Sequence, residues 1–397
     1  MSRLIGNEAK YVQEVLSHEF RASKSGFMVR RLEAAFAERL GVNHAIAMSN
    51  GTATLHSILA AAGVGPGDSV IVPALTMAST SLAVVHAGAT PVWADVCRDS
   101  WCIDTDSVER LLDENTKAII AVALYGIPPD LDRLVSLCRS RNIVLVEDDA
   151  QCVFGTYGKR LAGTFGKASS FSFQSSKTLT AGEGGIVVTD DAKLADRIRS
   201  FSSLGYRPGI TRDELQRPSA VRHETLGWNY RMSDLQAAVA LAQLEDAEFH
   251  VNSRQNAAFA MSQDCRWLVK QSASYEHKSA DWALTYRMEN APLTWEQFRN
   301  RFIAFGGDPF YACWLPNYQE PVFKYYDAEY CPVAESIQPN IVAFKTNYDL
   351  FDEAVEQNRI LEKTIENCNK VPKEFPSEES SHERRESLKR RYEEMGI

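Results

Sequence analysis

Val144-Leu145-Val146-Glu147-Asp148-Asp149-Ala150-Gln151 is an apolar run that stops at three consecutive acids. A short stretch of branched apolar residues without polar alternation suits a strand buried on both faces, as in a parallel sheet. A carboxylate at the C-terminal end of such a strand lies at the edge where open α/β folds bind ligands. An enclosed Asp148 would need a cationic partner, since an unpaired buried anion is costly. A protonated ring nitrogen would serve. The same acids also read as a helix N-cap.

Working outward, the runs His44–Ser49, Ser69–Val72, Pro91–Ala94, Ala118–Leu124, Ile143–Glu147, Ala168–Phe173 and Gly185–Thr189 read as strands. Helical spacing lies between them. Val29, Leu32, Phe36 and Leu40 recur on one face of Met28–Leu40, and Leu55, Ile58, Leu59 and Ala62 do so in Thr52–Ala62. The alternation predicts a doubly wound α/β domain. Residues Pro208 to Arg222 read as a polar loop, and Ser233 with Gln236 has capping-box spacing ahead of Ala237, Ala238, Leu241 and Leu244. Periodicity weakens from about residue 250, as expected of a smaller α+β domain. The expected division is 1–248, 249–370 and a charged tail, 371–397, read as a solvated helix or a disordered end.

Three further segments carry candidate chemistry. Ser49-Asn50-Gly51-Thr52-Ala53 stands between a strand and a helix, where the N–H groups of Thr52 and Ala53 would face a phosphate; alone it reads first as a helix-capping turn. In Ser172-Phe173-Gln174-Ser175-Ser176-Lys177, followed by Gly182-Glu183-Gly184-Gly185, one lysine sits among small residues. Burial disfavours an ammonium, and a neutral amine can form a Schiff base with an aldehyde, although a lone lysine is ordinarily a surface residue. Gly227-Trp228-Asn229-Tyr230-Arg231 offers an amide and a guanidinium suited to phosphate binding or a subunit contact, or is a surface loop.

Composition narrows the field. The 397 residues carry 43 Lys and Arg against 52 Asp and Glu, a net charge of −9, which argues against nucleic acid or an anionic membrane as the main partner. The longest clean apolar run, Ala118 to Tyr125, is too short to span a bilayer, and the first residues hold no signal-peptide core. The eight cysteines form no CxxC pair, so reduced thiols in a cytoplasmic protein are expected, with no metal site.

Taken together, the order and spacing of these segments resemble the DegT/DnrJ/EryC1/StrS aminotransferases, pyridoxal-phosphate enzymes that aminate keto-sugars and related ketones. The resemblance runs from about Leu4 to Ala334 and is supported by Gly65-Pro66-Gly67-Asp68 and Gly88-Ala89-Thr90-Pro91. It implies fold type I, with a large domain built on a mostly parallel seven-stranded sheet and a small α+β C-terminal domain. It implies Lys177 as the lysine that holds the cofactor aldehyde and Asp148 as the partner of the pyridine N–H⁺. Gln151 would lie beside the phenolate oxygen, and Thr52, Ala53 and Ser172 would be phosphate ligands. Asn229 would be a phosphate ligand given by a neighbouring subunit, hence an active homodimer with a shared site. Tyr311 and Trp314 match the substrate mouth.

The sequence departs from the family pattern in three places. Met77 stands where an aromatic residue often stacks on the ring, Asp149 replaces a small residue, and three residues rather than two separate Gln151 from Gly155. Family members that act as dehydratases carry His at the lysine position, so Lys177 argues against that branch. The expected reaction moves an amino group from glutamate or glutamine to an NDP-linked keto-sugar for lipopolysaccharide or another glycan. A keto-cyclitol or oxo-sugar acid is the alternative acceptor, and a non-catalytic cofactor-binding regulator a third reading.

Overall fold

The computed structural model describes residues 4–21 and 26–370. Helices α1 (Glu8–Ser17) and α2 (Phe27–Leu40) precede the large sheet, whose strands are β1 (His44–Met48), β2 (Ser69–Pro73), β3 (Thr90–Ala94), β4 (Thr116–Val122), β5 (Val144–Asp148), β6 (Ala168–Ser172) and β7 (Gly185–Thr189). Each falls within a residue or two of an expected run. Their order across the sheet is β1-β7-β6-β5-β4-β2-β3. Every pairing from β6 to β3 is parallel, while β7 runs against both β6 and β1.

Successive side chains leave a strand on opposite faces, and the two faces here are both dry. Val70 and Val72, Ile120 and Val146 enter one core; Ile71, Ile119 and Leu145 enter the other. That double burial is why these strands lack polar alternation. Helices α3 (Gly51–Ala61) and α4 (Ala78–His86) supply Leu55, Ile58, Leu59, Ala83 and Val84 to the first core. In α2, Met28 is fully buried and Val29 only partly, a small rotation of the expected face.

The register brings one end of the sheet into line. Val122 pairs with Asp148, Asp148 with Ser170, Ser172 with Gly185, and Gly185 with Met48. The chain therefore leaves β1, β4, β5 and β6, and enters β7, along a common edge. Segments scattered between residues 48 and 185 become neighbours there.

The region read as a polar loop, 208–222, contains one helical turn, Arg212–Leu215, closed by a capping box between Thr211 and Glu214. The helix Asp234–Glu245 starts with the expected box of Ser233 and Gln236. Beyond the helix Ala247–Ala260, an antiparallel sheet is formed by β8 (Leu268–Lys270), β9 (Ala283–Met288), β10 (Tyr311–Ala312) and β11 (Ile341–Lys345) in the order β8-β9-β11-β10. Trp267, Phe298, Phe302, Phe310, Phe344 and Leu361 pack behind it, so it has a core of its own. The charged tail 371–397 lies outside the described residues. All eight cysteines are free thiols. No helix among the described residues is long and apolar enough to cross a membrane.

Candidate active site

The turn after β1 depends on glycines. A side chain on Gly51 would put its Cβ 3.2 Å from Ser172 Cβ, and one on Gly185 would meet the Asn50 backbone at 2.7 Å. Their absence lets the first turn of α3 rest on the ends of β6 and β7. Asn50 caps that helix, its Oδ1 accepting from the Ala53 N–H at 2.8 Å. The Ala53 donor is thereby engaged, whereas the Thr52 N–H has no partner among the described residues. Helix N-termini with such orphan donors attract anions. Ser172, half-buried beneath the turn, accepts from the Gln174 N–H at 3.3 Å.

The three acids ending β5 have three different surroundings. Glu147 accepts from the N–H groups of Gly163, Phe165 and Gly166 and from the Ser169 hydroxyl, at 2.6–3.2 Å, and so ties down the loop before β6. Asp148 accepts from Thr80 Oγ1 at 3.0 Å and from the Ala150 N–H at 3.3 Å. Burial raises its pKa, opposed by Thr80, Ala150 and the nearby Lys177 charge. Asp149 is 2% exposed, and its Oδ2 has no partner among the described residues. Burial first, then the neighbouring Glu147 and Asp148 charges, push its pKa well above the usual carboxylate value. Gln151 Oε1 accepts from the Tyr125 N–H at 2.6 Å, which fixes the amide and leaves its NH₂ to donate elsewhere.

Lys177 stands in the turn after β6, its N–H donating to Gln174 O at 2.9 Å. Burial pushes its ammonium down to about 8; Asp148 pulls the other way, and Arg254 reinforces the lowering. The amine lies 4.9 Å from the ring centroid of Trp282. Tyr125 stacks between Trp282, at 6.0 Å and 17°, and Trp314, at 5.8 Å and 9°. It is held at a φ of 58°, a strained value for a bulky side chain. Trp314 thus joins an aromatic wall that reaches Lys177, while Tyr311, 70% exposed, pairs only at the outer strand β10. Met77 occupies the N-cap position of α4 and is about half exposed.

Asn229 does not join this group within one chain. It is exposed and bridges Ser203, while Tyr230 O accepts from the Ser49 N–H at 2.8 Å. In the chain leading to it Val221, Leu226 and Trp228 expose apolar side chains, Leu226 by 92%. The site also contains Thr80, Tyr125, Arg254 and Trp282, which sequence reasoning did not single out. Thr80 lies in the same stretch as Met77, and Tyr125 closes the apolar run of β4. Arg254 and Trp282 carry no local signal, because they arrive from distant parts of the chain.

The model of the DegT/DnrJ/EryC1/StrS aminotransferase family matches residues 3–363. The chain belongs to this family. It is 38% identical over 267 residues to a GDP-perosamine synthase of Escherichia coli O157:H7, covering 67% of this chain and 71% of that one. It is likewise 38% identical over 263 residues to an L-glutamine:2-deoxy-scyllo-inosose aminotransferase of Streptomyces lividus, covering 63% and 61%. The solved aminotransferase from Psychrobacter cryohalolentis superposes with a TM-score of 0.84 at 27% identity, covering 91% of this chain and 97% of that chain.

DegT/DnrJ/EryC1/StrS aminotransferases are pyridoxal-phosphate enzymes of fold type I, and the donor set here fits that cofactor. An amine of lowered pKa suits an aldehyde, a buried carboxylate with only neutral donors suits a ring N–H⁺, and an orphan helix N-terminus suits a phosphate. Expectations of a PLP-dependent transaminase and of an α/β fold with a mostly parallel seven-stranded sheet are met.

Proposed function

We propose that this enzyme transfers an amino group from glutamate or glutamine to a keto-sugar, an NDP-linked keto-deoxysugar in the first instance, supplying a cytoplasmic step in lipopolysaccharide or related glycan assembly. When bound, pyridoxal phosphate supplies an aldehyde for the amine and a protonated ring that withdraws electrons from the reacting carbon. Lys177 Nζ would hold the aldehyde and, once released, act as base and then acid on the substrate proton. With a pKa of about 8, on the order of a tenth of it is neutral at pH 7. Asp148 would accept from the ring N–H⁺, with Thr80 fixing its other direction. Gln151 would donate to the phenolate oxygen. Thr52 and Ser172 would hold the phosphate; Ala53, whose N–H is given to Asn50, would line it.

The observation that carries the reading is the meeting of Lys177 and Asp148 beside an anion-binding turn at one sheet edge. Met77 would cover the ring face through its polarisable thioether. Trp314, through the aromatic wall, and Tyr311 at the rim would contact the acceptor. Two chains would complete each site, Asn229 of one reaching the phosphate held by the other. The exposed Val221, Leu226 and Trp228, close to Asn229 in sequence, support such a pairing, since a partner would cover their apolar surface. A division into 1–248 and 249–370 is supported by the separate core around Trp267, Phe298 and Phe344, while Cys313, Phe323, Cys331 and Ile337 pack into the core of the large sheet.

A keto-cyclitol acceptor is kept as a second reading because of the similarity to the scyllo-inosose aminotransferase. The test is to load the enzyme with pyridoxamine phosphate and offer keto-sugar nucleotides, keto-cyclitols and oxo-sugar acids. Return of the aldehyde spectrum with the nucleotides is the expected result. A response only to the non-nucleotide ketones would replace the first reading with the second.

A further inference from the structure

Arg254, on the helix Ala247–Ala260, is buried, yet its guanidinium spans three oxygens from three separate segments. Nη1 donates to Trp282 O at 2.8 Å and to Thr346 Oγ1 at 3.2 Å, and Nη2 donates to Ser176 O at 2.8 Å. Trp282 Nε1 donates to the same Ser176 carbonyl at 3.0 Å. Ser176 is the residue before Lys177, and its donors lie 78 and 106 positions further along the chain.

The Ser176 carbonyl and the Lys177 N–H belong to one planar peptide unit. Its oxygen is gripped by Arg254 and Trp282, and its N–H by Gln174 O at 2.9 Å. Fixing both ends of that plane sets the direction in which the Lys177 side chain leaves the backbone. Through Trp282 O the same guanidinium also holds the indole whose face lies 4.9 Å from the amine. A lysine at 254 would keep the charge but could not present the planar fork that reaches all three oxygens.

We propose that Arg254 is a positioning residue for Lys177, acting through the Ser176 carbonyl and the Trp282 wall to aim the amine at the cofactor. The inference rests on Lys177 being the cofactor lysine. The charged groups that act on this amine are Asp148, at the end of β5, and Arg254 itself, with the neutral Trp282 ring between elements. Arg254 thus favours the neutral amine as well as orienting it.

The test uses full-length protein freed of cofactor, then given pyridoxal phosphate and borohydride over about pH 6–10, with the labelled lysine mapped by mass spectrometry. Wild-type protein is expected to label at Lys177; labelling elsewhere overturns the assignment of Lys177 and is recognised before any variant is made. Arg254→Gln is expected to slow labelling at the high-pH plateau about threefold or more and to move its midpoint upward by about half a pH unit. Arg254→Lys is expected to show the slower plateau with the wild-type midpoint. A purely structural role would lower the melting temperature and leave the plateau rate, measured well below it, unchanged. A wild-type plateau rate at Lys177 in Arg254→Lys overturns the proposal, even if Arg254→Gln does not fold.

Discussion

Thr80 Oγ1 donates to Asp148 Oδ2 at 3.0 Å, so the first turn of α4 fixes one oxygen of a carboxylate at the end of β5. Both residues are buried. The contact directs this oxygen of Asp148 through a neutral donor, as suits a partner for a ring N–H⁺.

Thr80→Val keeps the shape and removes that donor. Burial already raises the Asp148 pKa, and the loss raises it further. A hydrogen bond to a charged group contributes about 1.5–3 kcal/mol. Stability at neutral pH should fall by about that amount, and less at low pH, where the carboxyl is protonated in either protein. Urea unfolding of both proteins at acid and neutral pH measures the difference, and an equal loss at both would contradict it.

Asp149 has a raised pKa, and its Oδ2 has no partner among the described residues. A carboxyl whose folded pKa is raised stabilises the fold below its ordinary value, and that contribution is lost as pH rises toward the folded value. Asp149→Asn should flatten this decline, becoming the more stable protein by about 1–3 kcal/mol at alkaline pH. Parallel pH–stability curves for the two proteins would argue that Asp149 ionises freely in the fold.

Lys177→Ala should lower turnover by about a thousandfold or more and remove the borohydride-stable cofactor label. In the unaltered enzyme, cofactor capture should quicken with pH through about 8, as the ammonium gives up its proton. Mass mapping and stopped-flow absorbance report the two results. An active Lys177→Ala protein would reject the assignment.

Lys177→Ala and Asn229→Asp should each be nearly inactive alone. Mixed under conditions that exchange subunits, they should recover up to about a quarter of wild-type activity, because half the dimers are mixed and each has one intact site. The assay after mixing is the measurement. No recovery, with exchange verified by mass, would place Asn229 and Lys177 in the same chain's site.

Much of this was readable from the amino acids. The seven strands appear as apolar runs because both faces of the sheet are dry, and the capping box at Ser233 is a local pattern that survived folding. The acids after Val146, the glycine turn at Gly51 and the solitary Lys177 could be named for the same reason. Other features had no local trace. Glu147, Asp148 and Asp149 look alike in sequence, and only their surroundings make one a loop anchor, one an acceptor for Thr80 and one a carboxyl whose pKa burial raises furthest from its usual range. The Ala53 N–H reads as a phosphate donor in the sequence, but in the fold it is taken by the Asn50 side chain.

From the amino-acid order alone came the α/β class, the family pattern and the chemical types at the cofactor site, since periodicity and short motifs are properties of neighbouring residues. Tertiary structure alone decided which donors remain open, which groups hold each carboxyl, and that Arg254 and Trp282 grip the peptide ahead of Lys177. Those are contacts between residues far apart in the chain, and their strength depends on burial and distance, neither of which is written in the sequence.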